Sequence, residues 1–276
     1  MNRLFCVFLF ACCFLSAVGL QAQRVFDIDL KDGAVSASGG DEENRFSFAR
    51  CFLPDSLLAT GKAVVALPGG GYGGLVFRQG GYDWAPFFNE RGIAYIVLHY
   101  QLPAGKAERP VNEVKRTFEL VRTHASDWNI NPENVGIMGF SAGGHLAALA
   151  ATRPELGICP DFQILLYPVI TMEESYTDIG SRQRLLGDSP SAATVEQYSC
   201  EKNVPSGTPP AIILLSSADG VVSPMNAILY YQALLERHVE VTLHAFPSAW
   251  HGWGAKDNYP YVGIALACLS DWLGRL

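Results

Sequence analysis

Ser141 lies in the pattern Gly139-Phe140-Ser141-Ala142-Gly143, inside the stretch "NVGIMGFSAGGHLAALAATR" that runs from Asn134 to Arg153. A serine hydroxyl attacks an acyl carbon only when a base takes its proton, and the base in turn needs an orienting acid. In a chain with 27 glycines the five-residue pattern says little on its own. Its context says more: an apolar strand precedes it and an Ala/Leu-rich helix follows, which is the setting of a nucleophile elbow. A tight turn there holds the serine in a strained conformation, and Gly139 and Gly143 stand where a Cβ would collide with the neighbouring strand or helix. The Ser141 hydroxyl is then offered above the sheet at a helix N-terminus, where the Ala142 N–H and the positive helix end face any developing oxyanion.

The base and the acid follow from chain order, which on such a scaffold runs Ser, then Asp or Glu, then His. His238, His244 and His251 come after Ser141 with room for an acid between. His244 falls within the strand pattern "VEVTLHAF", and His238 closes the helix "YYQALLER". His251 sits beyond the last strand in "FPSAWHGWG", on a turn-rich loop next to Trp250, and is the expected base. The acid is Asp219, at the end of the apolar strand in "AIILLSSADGVVSP", ahead of Asp161, Asp178 and Asp188. Asp161 opens a strand at the wrong end of a sheet, and Asp178 and Asp188 fall in an interrupting segment. His145, four residues after Ser141, reads as a packed helix residue, and His99 and His124 likewise read as packed.

"ALPGGGYGGLVF", residues 66–77, admits two uses. Gly69-x-Gly71-x-x-Gly74 has the spacing of a dinucleotide fingerprint, which requires a helix opening directly on the glycines and an acidic residue closing the next strand. Neither is present. Leu75 to Gly81 is not helical, helix signals begin only near Asp83 to Pro86, and the next strand closes on His99, Tyr100 and Gln101. A nicotinamide or flavin enzyme is therefore disfavoured. The other use is bare backbone N–H groups aimed at an oxyanion, with Gly70 and Gly71 as donors and Tyr72 as a wall of the acyl pocket.

Positioning these groups requires alternating strands and helices. Strand-length apolar runs fall at Val25–Leu30, Ala63–Leu67, Ile93–Leu98, Val135–Met138, Phe162–Leu166, Ala211–Leu215 and Val239–Phe246. Helical spacing marks Val111–Trp128, Ala142–Thr152, Pro224–Arg237 and Val262–Leu273. Alternation of this kind predicts an α/β fold, a mostly parallel sheet with helices on both faces. Residues 171–210, polar and rich in Ser, Pro and Gly, interrupt it as a small cap or long-loop insertion. Residues 23–276 form the expected catalytic domain.

The N-terminus reads as a secretory signal peptide, residues 1–22: Arg3, an apolar run from Leu4 to Val18, then small and polar residues, with cleavage near Ala22–Gln23. A secreted or periplasmic protein is expected, with no stable membrane insertion after cleavage. Lipid attachment at Cys12 would leave a very short apolar region and ranks lower. The net charge of −7 argues against nucleic acid as a partner. Past residue 22, Cys51, Cys159, Cys200 and Cys268 contain no C-x-x-C pair, so neither a zinc nor a redox motif is suggested. One disulfide or free thiols both fit.

Taken in order, "LPGGGYGGL", "GIAYIVLHYQLP", "NVGIMGFSAGGHLAA", "LLYPVITM", "GSRQRLLG", "SSADGVVSPMNAILYYQAL" and "FPSAWHGWG" resemble the α/β-hydrolase superfamily over most of residues 60–273. More narrowly they resemble its secreted bacterial carbohydrate-esterase branch, acetylxylan-esterase-like proteins often labelled xylanases. The branch usually has Arg where this chain has Gln101, a second acid where it has Ala218, and Gly-Gly where it has Ala249-Trp250. The last difference sets an indole beside His251 and makes Trp250 a candidate substrate contact. The resemblance implies a serine esterase acting on acetyl or similar small acyl esters of polysaccharides or oligosaccharides, without metal or organic cofactor. Its rivals are a feruloyl esterase, a peptidase-like serine hydrolase, and a hydrolase fold kept as a binding module.

Overall fold

Hydrophobic alternation along the strands decides the layering. In the computed structural model, which describes residues 24–38 and 47–276, nine strands form one sheet. They are β1 (Arg24–Asp29), β2 (Val35–Ala37), β3 (Phe48–Leu53), β4 (Gly61–Leu67), β5 (Ala94–His99), β6 (Ile130–Phe140), β7 (Gln163–Leu166), β8 (Ala211–Ser216) and β9 (Val241–Phe246). The helices are α1 (Ala85–Asn89), α2 (Glu108–Thr123), α3 (Ala142–Thr152), α4 (Ile179–Leu186), α5 (Ala192–Tyr198), α6 (Met225–Glu236) and α7 (Val262–Leu273). On β4, Ala63, Val65 and Leu67 face a core shared with α2, α3 and α6, whereas Val64 and Ala66 face a second core under α1 and α7. β5, β6, β7 and β8 divide their side chains in the same way. Strands buried on both faces read as continuous apolar runs, which is why these were legible in sequence.

The strand order is β2-β1-β3-β5-β4-β6-β7-β8-β9. From β5 to β9 all neighbours are parallel, and β1, β2 and β3 add antiparallel pairs at one edge. The chain passes from β4 to β5 on one side and then returns to lay β6 on the other. Order therefore reverses at β4, and the crevice beyond the carboxyl ends of β4 and β6 is the switch point at which open α/β sheets bind ligands. This is the α/β-hydrolase architecture expected from the order of the motifs.

The differences are local. Strands β2 and β3 were not anticipated, because β2 is only three exposed residues and "FARCFL" in β3 carries an arginine. That arginine is buried. Arg50 faces Asp27 across the β1–β3 pairing and donates from Nε to Oδ1 at 2.8 Å and from Nη2 to Oδ2 at 3.1 Å. Residues 171–210 carry α4, α5 and a single 3₁₀ turn at Cys200–Lys202, so the interrupting segment contains short helices and serves as the crossover from β7 to β8. Cys51, Cys159, Cys200 and Cys268 are free thiols. Among the described residues no helix is long and apolar enough to cross a membrane. The expected signal peptide lies outside the described residues.

Removing one partner of a buried ion pair strands the other charge in an apolar setting. Asp27→Ala is expected to lower the unfolding free energy by about 3–5 kcal/mol in urea titrations. The apolar double variant Asp27→Leu/Arg50→Met should recover most of that loss.

Candidate active site

The elbow is built by steric exclusion. Ser141 has φ 53° and ψ −120°, an unfavourable conformation for a residue with a Cβ. A Cβ on Gly139 would lie 2.3 Å from the Gly143 oxygen, and one on Gly143 would lie 2.1 Å from the Leu67 oxygen. One on Gly69 would lie 2.7 Å from the Phe140 oxygen and 3.1 Å from Ser141 Cβ. Strand β6, helix α3 and the loop after β4 thus meet at backbone contact. The turn is tied to its neighbours by Ser141 N–H donating to Leu166 O at 3.0 Å and Val169 N–H donating to Ser141 O at 3.0 Å.

The structure brings Ser141, His251 and Asp219 together from the carboxyl ends of β6, β9 and β8. His251 Nε2 is 2.9 Å from Ser141 Oγ, and His251 Nδ1 is 2.6 Å from Asp219 Oδ2. The neutral imidazole satisfies both contacts when Nδ1–H donates to Asp219 and Nε2 accepts from Ser141. The other Asp219 oxygen, Oδ1, accepts from Val221 N–H at 2.8 Å and Val222 N–H at 3.1 Å. The carboxylate side chain is 2% exposed and fixed at both oxygens. The His251 loop is stitched to the Asp219 loop by Ala218 N–H donating to Ser248 O at 2.9 Å. Tyr167 supports it from below, its ring edge-on to the imidazole at 4.9 Å and its hydroxyl donating to Trp253 O at 2.7 Å.

The glycine loop takes an uncommon path. Gly70, Gly71 and Tyr72 have φ of 131°, 60° and 56°, three left-handed residues in succession, and Gly73 N–H closes the turn on Gly70 O at 3.0 Å. No helix opens on these glycines; the chain reaches a 3₁₀ turn only at Tyr82. Among the described residues the N–H groups of Gly70, Gly71 and Ala142 donate to no protein acceptor. Gly70 and Gly71 line a cavity of about 260 Å³ that also contains Ser141 and His251.

Tyr72 corrects the expectation placed on it. It is 1% exposed, does not line this cavity, and turns into the core to donate its hydroxyl to His145 Nδ1 at 2.8 Å. The positive φ of Tyr72, invisible in sequence, reverses the side chain's direction. The apolar walls are Val76, Phe140, Tyr167, Val221 and Val222. Trp250 is 47% exposed and leans on Tyr259 at 6.0 Å, outside the cavity lining. Sequence reasoning missed Tyr167 and the three valines, although Tyr167 directly follows β7 and the valines lie in the loops after β4 and β8, where such a site must be built. Asp178, set aside as part of the interrupting segment, also reaches the cavity while its Oδ2 caps α4 through Ser181 N–H at 2.7 Å.

His145 is a packed residue, as expected. Its Nδ1 accepts from Tyr72, its Nε2 donates to Tyr198 O at 2.8 Å, and burial pushes its pKa down to about 4. His99 is buried between Phe48 and Phe77, and His124 stacks on Trp128.

Residues 85–255 match the family described as the alpha/beta hydrolase fold, and the chain belongs to that family. Among solved structures, an acetyl ester-xyloside bifunctional hydrolase from Caldicellulosiruptor lactoaceticus is similar with a TM-score of 0.79 at 30% identity, covering 90% of this chain and 95% of that one. An acetylxylan esterase of Xylanibacter ruminicola is 40% identical over 227 residues, which make up 81% of this chain and 47% of the relative. Endo-1,4-beta-xylanase B of Butyrivibrio fibrisolvens is 34% identical over 217 residues, 72% of this chain and 34% of the relative. The chain thus spans about half the length, or less, of these curated relatives.

Because His145 is buried neutral, the unfolded chain takes up a proton near pH 6.5 that the native protein refuses until about pH 4. Its contribution to stability is complete above pH 6.5, declines as pH falls, and is fully lost below about pH 4. The loss through this window amounts to about 3 kcal/mol. Urea titrations of wild type and His145→Gln at pH 7 and pH 4.5 should show a shallower pH dependence in the variant.

Proposed function

We propose that the protein is a secreted serine esterase that removes acetyl or similar small acyl groups from polysaccharides or oligosaccharides. The observation that carries this reading is His251 bridging Ser141 Oγ and Asp219 Oδ2 at 2.9 and 2.6 Å beside unpaired backbone N–H groups. The relatives named acetylxylan esterase and acetyl ester-xyloside bifunctional hydrolase support the substrate class. The modest apolar cavity suits a short acyl chain.

Ser141 Oγ attacks the ester carbonyl carbon while its proton passes to His251 Nε2. The tetrahedral oxyanion accepts from Ala142 N–H and from Gly70 or Gly71 N–H, each such donor contributing about 3–4 kcal/mol of barrier lowering. Collapse breaks the bond to the leaving alcohol, which receives the proton from Nε2. Water then repeats the sequence on the acyl-enzyme, with His251 as base, and releases the acid and free Ser141. Asp219 holds Nδ1–H in place and stabilises the imidazolium at each stage. Its two backbone N–H donors keep it aimed, so its role is orientation and charge rather than proton uptake.

Ser141→Ala should abolish hydrolysis of aryl acetates and labelling by a fluorophosphonate probe. Asp219→Asn should lower kcat by about 10⁴-fold by favouring the wrong imidazole tautomer. Full activity in either variant would sink the reading. A panel of acetylated xylan, methyl ferulate and peptide amides identifies the acyl class, and faster release of ferulate than of acetate would replace the acetyl esterase by a feruloyl esterase. Secretion is tested separately by N-terminal sequencing of protein expressed from the full gene, which should begin near Gln23.

A further inference from the structure

The glycine loop is conformationally permissive, with five glycines between residues 69 and 74 and three left-handed residues in a row. Such a segment keeps its N–H groups aimed only if it is held from outside. On its inner side Tyr72 is anchored to His145. On its outer side stands one side chain from the crossover between β7 and β8. Arg184, in the last turn of α4, donates from Nη1 to Gly71 O at 3.0 Å. A Cβ on Gly73 would lie 2.8 Å from Arg184 Nε, one on Gly180 2.8 Å from Nη1, and one on Gly71 3.3 Å from Nη1. Gly73 and Gly180 have no positive φ, so the missing side chain at each serves this contact and not the backbone path. Arg184 is itself tied down through its own carbonyl, which accepts from Gly105 N–H at 2.8 Å, and through the Asp178 cap at the start of its helix.

We infer that Arg184 is a positioning residue for the oxyanion loop. Held at Gly71 O, the guanidinium fixes the Gly71–Tyr72 peptide plane, and through the Gly71 Cα it restrains the adjoining peptide that carries the Gly71 N–H at the cavity. The inference rests on the esterase reading above. Arg184 is exposed, and a single exposed hydrogen bond contributes little to global stability. Its effect therefore falls on turnover and not on folding.

The test compares kcat, KM and thermal midpoint on an aryl acetate for wild type, Arg184→Ala, Gly73→Ala and the double variant, with Ser141→Ala as blank. Arg184→Ala should lower kcat about tenfold or more with KM changed less than about twofold and the midpoint nearly unchanged. Gly73→Ala, whose Cβ would press on the Arg184 side chain at Nε, Cδ and Cζ, should give a loss in the same direction, and the double variant should lose no more than Arg184→Ala alone. Methylguanidinium at sub-denaturing concentration should restore part of kcat in Arg184→Ala, because the slot bounded by three glycines remains, and should leave Gly73→Ala unimproved. Wild-type kcat in Arg184→Ala would overturn the inference alone. So would a loss confined to KM, or one that methylguanidinium does not relieve. Absence of Ser141-dependent hydrolysis in the wild type would overturn the esterase reading and this inference with it.

Discussion

The structure depends on one steric constraint: β6, α3 and the loop after β4 converge on Ser141 at distances that leave no room for a Cβ at Gly69, Gly139 or Gly143. Only because these three positions are bare can the serine stand in its strained conformation with a helix N-terminus directly behind it and a second loop's backbone alongside. Strain of this size persists when the surroundings over-determine it. Here they do, through Leu166 O and Val169 N–H on one flank and the Leu67 carbonyl on the other. The cost is met by the apolar strands on both faces, whose burial is the main favourable contribution to folding.

Around that point the sheet topology does the assembling. Reversal of strand order at β4 sets the glycine loop next to the end of β6, and the parallel run through β7, β8 and β9 delivers Tyr167, Asp219 and His251 to the same edge. Residues separated by 110 positions in sequence, Ser141 and His251, thereby reach hydrogen-bond distance. The crossover between β7 and β8 adds a further layer, since Tyr198 holds His145, His145 holds Tyr72, and Arg184 holds Gly71. The glycine loop is clamped between buried and exposed partners that all come from one segment or rest on it.

Much of this was legible in the sequence. The strands β4, β5, β7 and β8 announce themselves because both faces are buried, so their apolar runs are unbroken. The elbow is local chemistry: a strand end, two glycines flanking a serine, and a helix-forming run. Asp219 and His251 could be chosen from among several acids and histidines because position relative to strand ends is a sequence property. Other features were not legible for physical reasons. Strand β3 hides because Arg50 is polar in isolation and becomes a core residue only opposite Asp27. Tyr72 was given the wrong environment because its left-handed backbone, a consequence of the tight turn at Gly70 and Gly71, sends the ring inward.

The sequence by itself determined the elements, their alternation and the residue types able to carry acyl transfer, since these follow from local periodicity and turn sterics. Only the tertiary structure decided which groups face the cavity and which support it. Val76, Val221 and Val222 became walls, Tyr72 and His145 became an internal anchor, and Arg184 became the outer brace. The physical reason is that side-chain direction in loops depends on backbone dihedrals, and contacts across the sheet depend on strand order. Neither is encoded in any short stretch of residues.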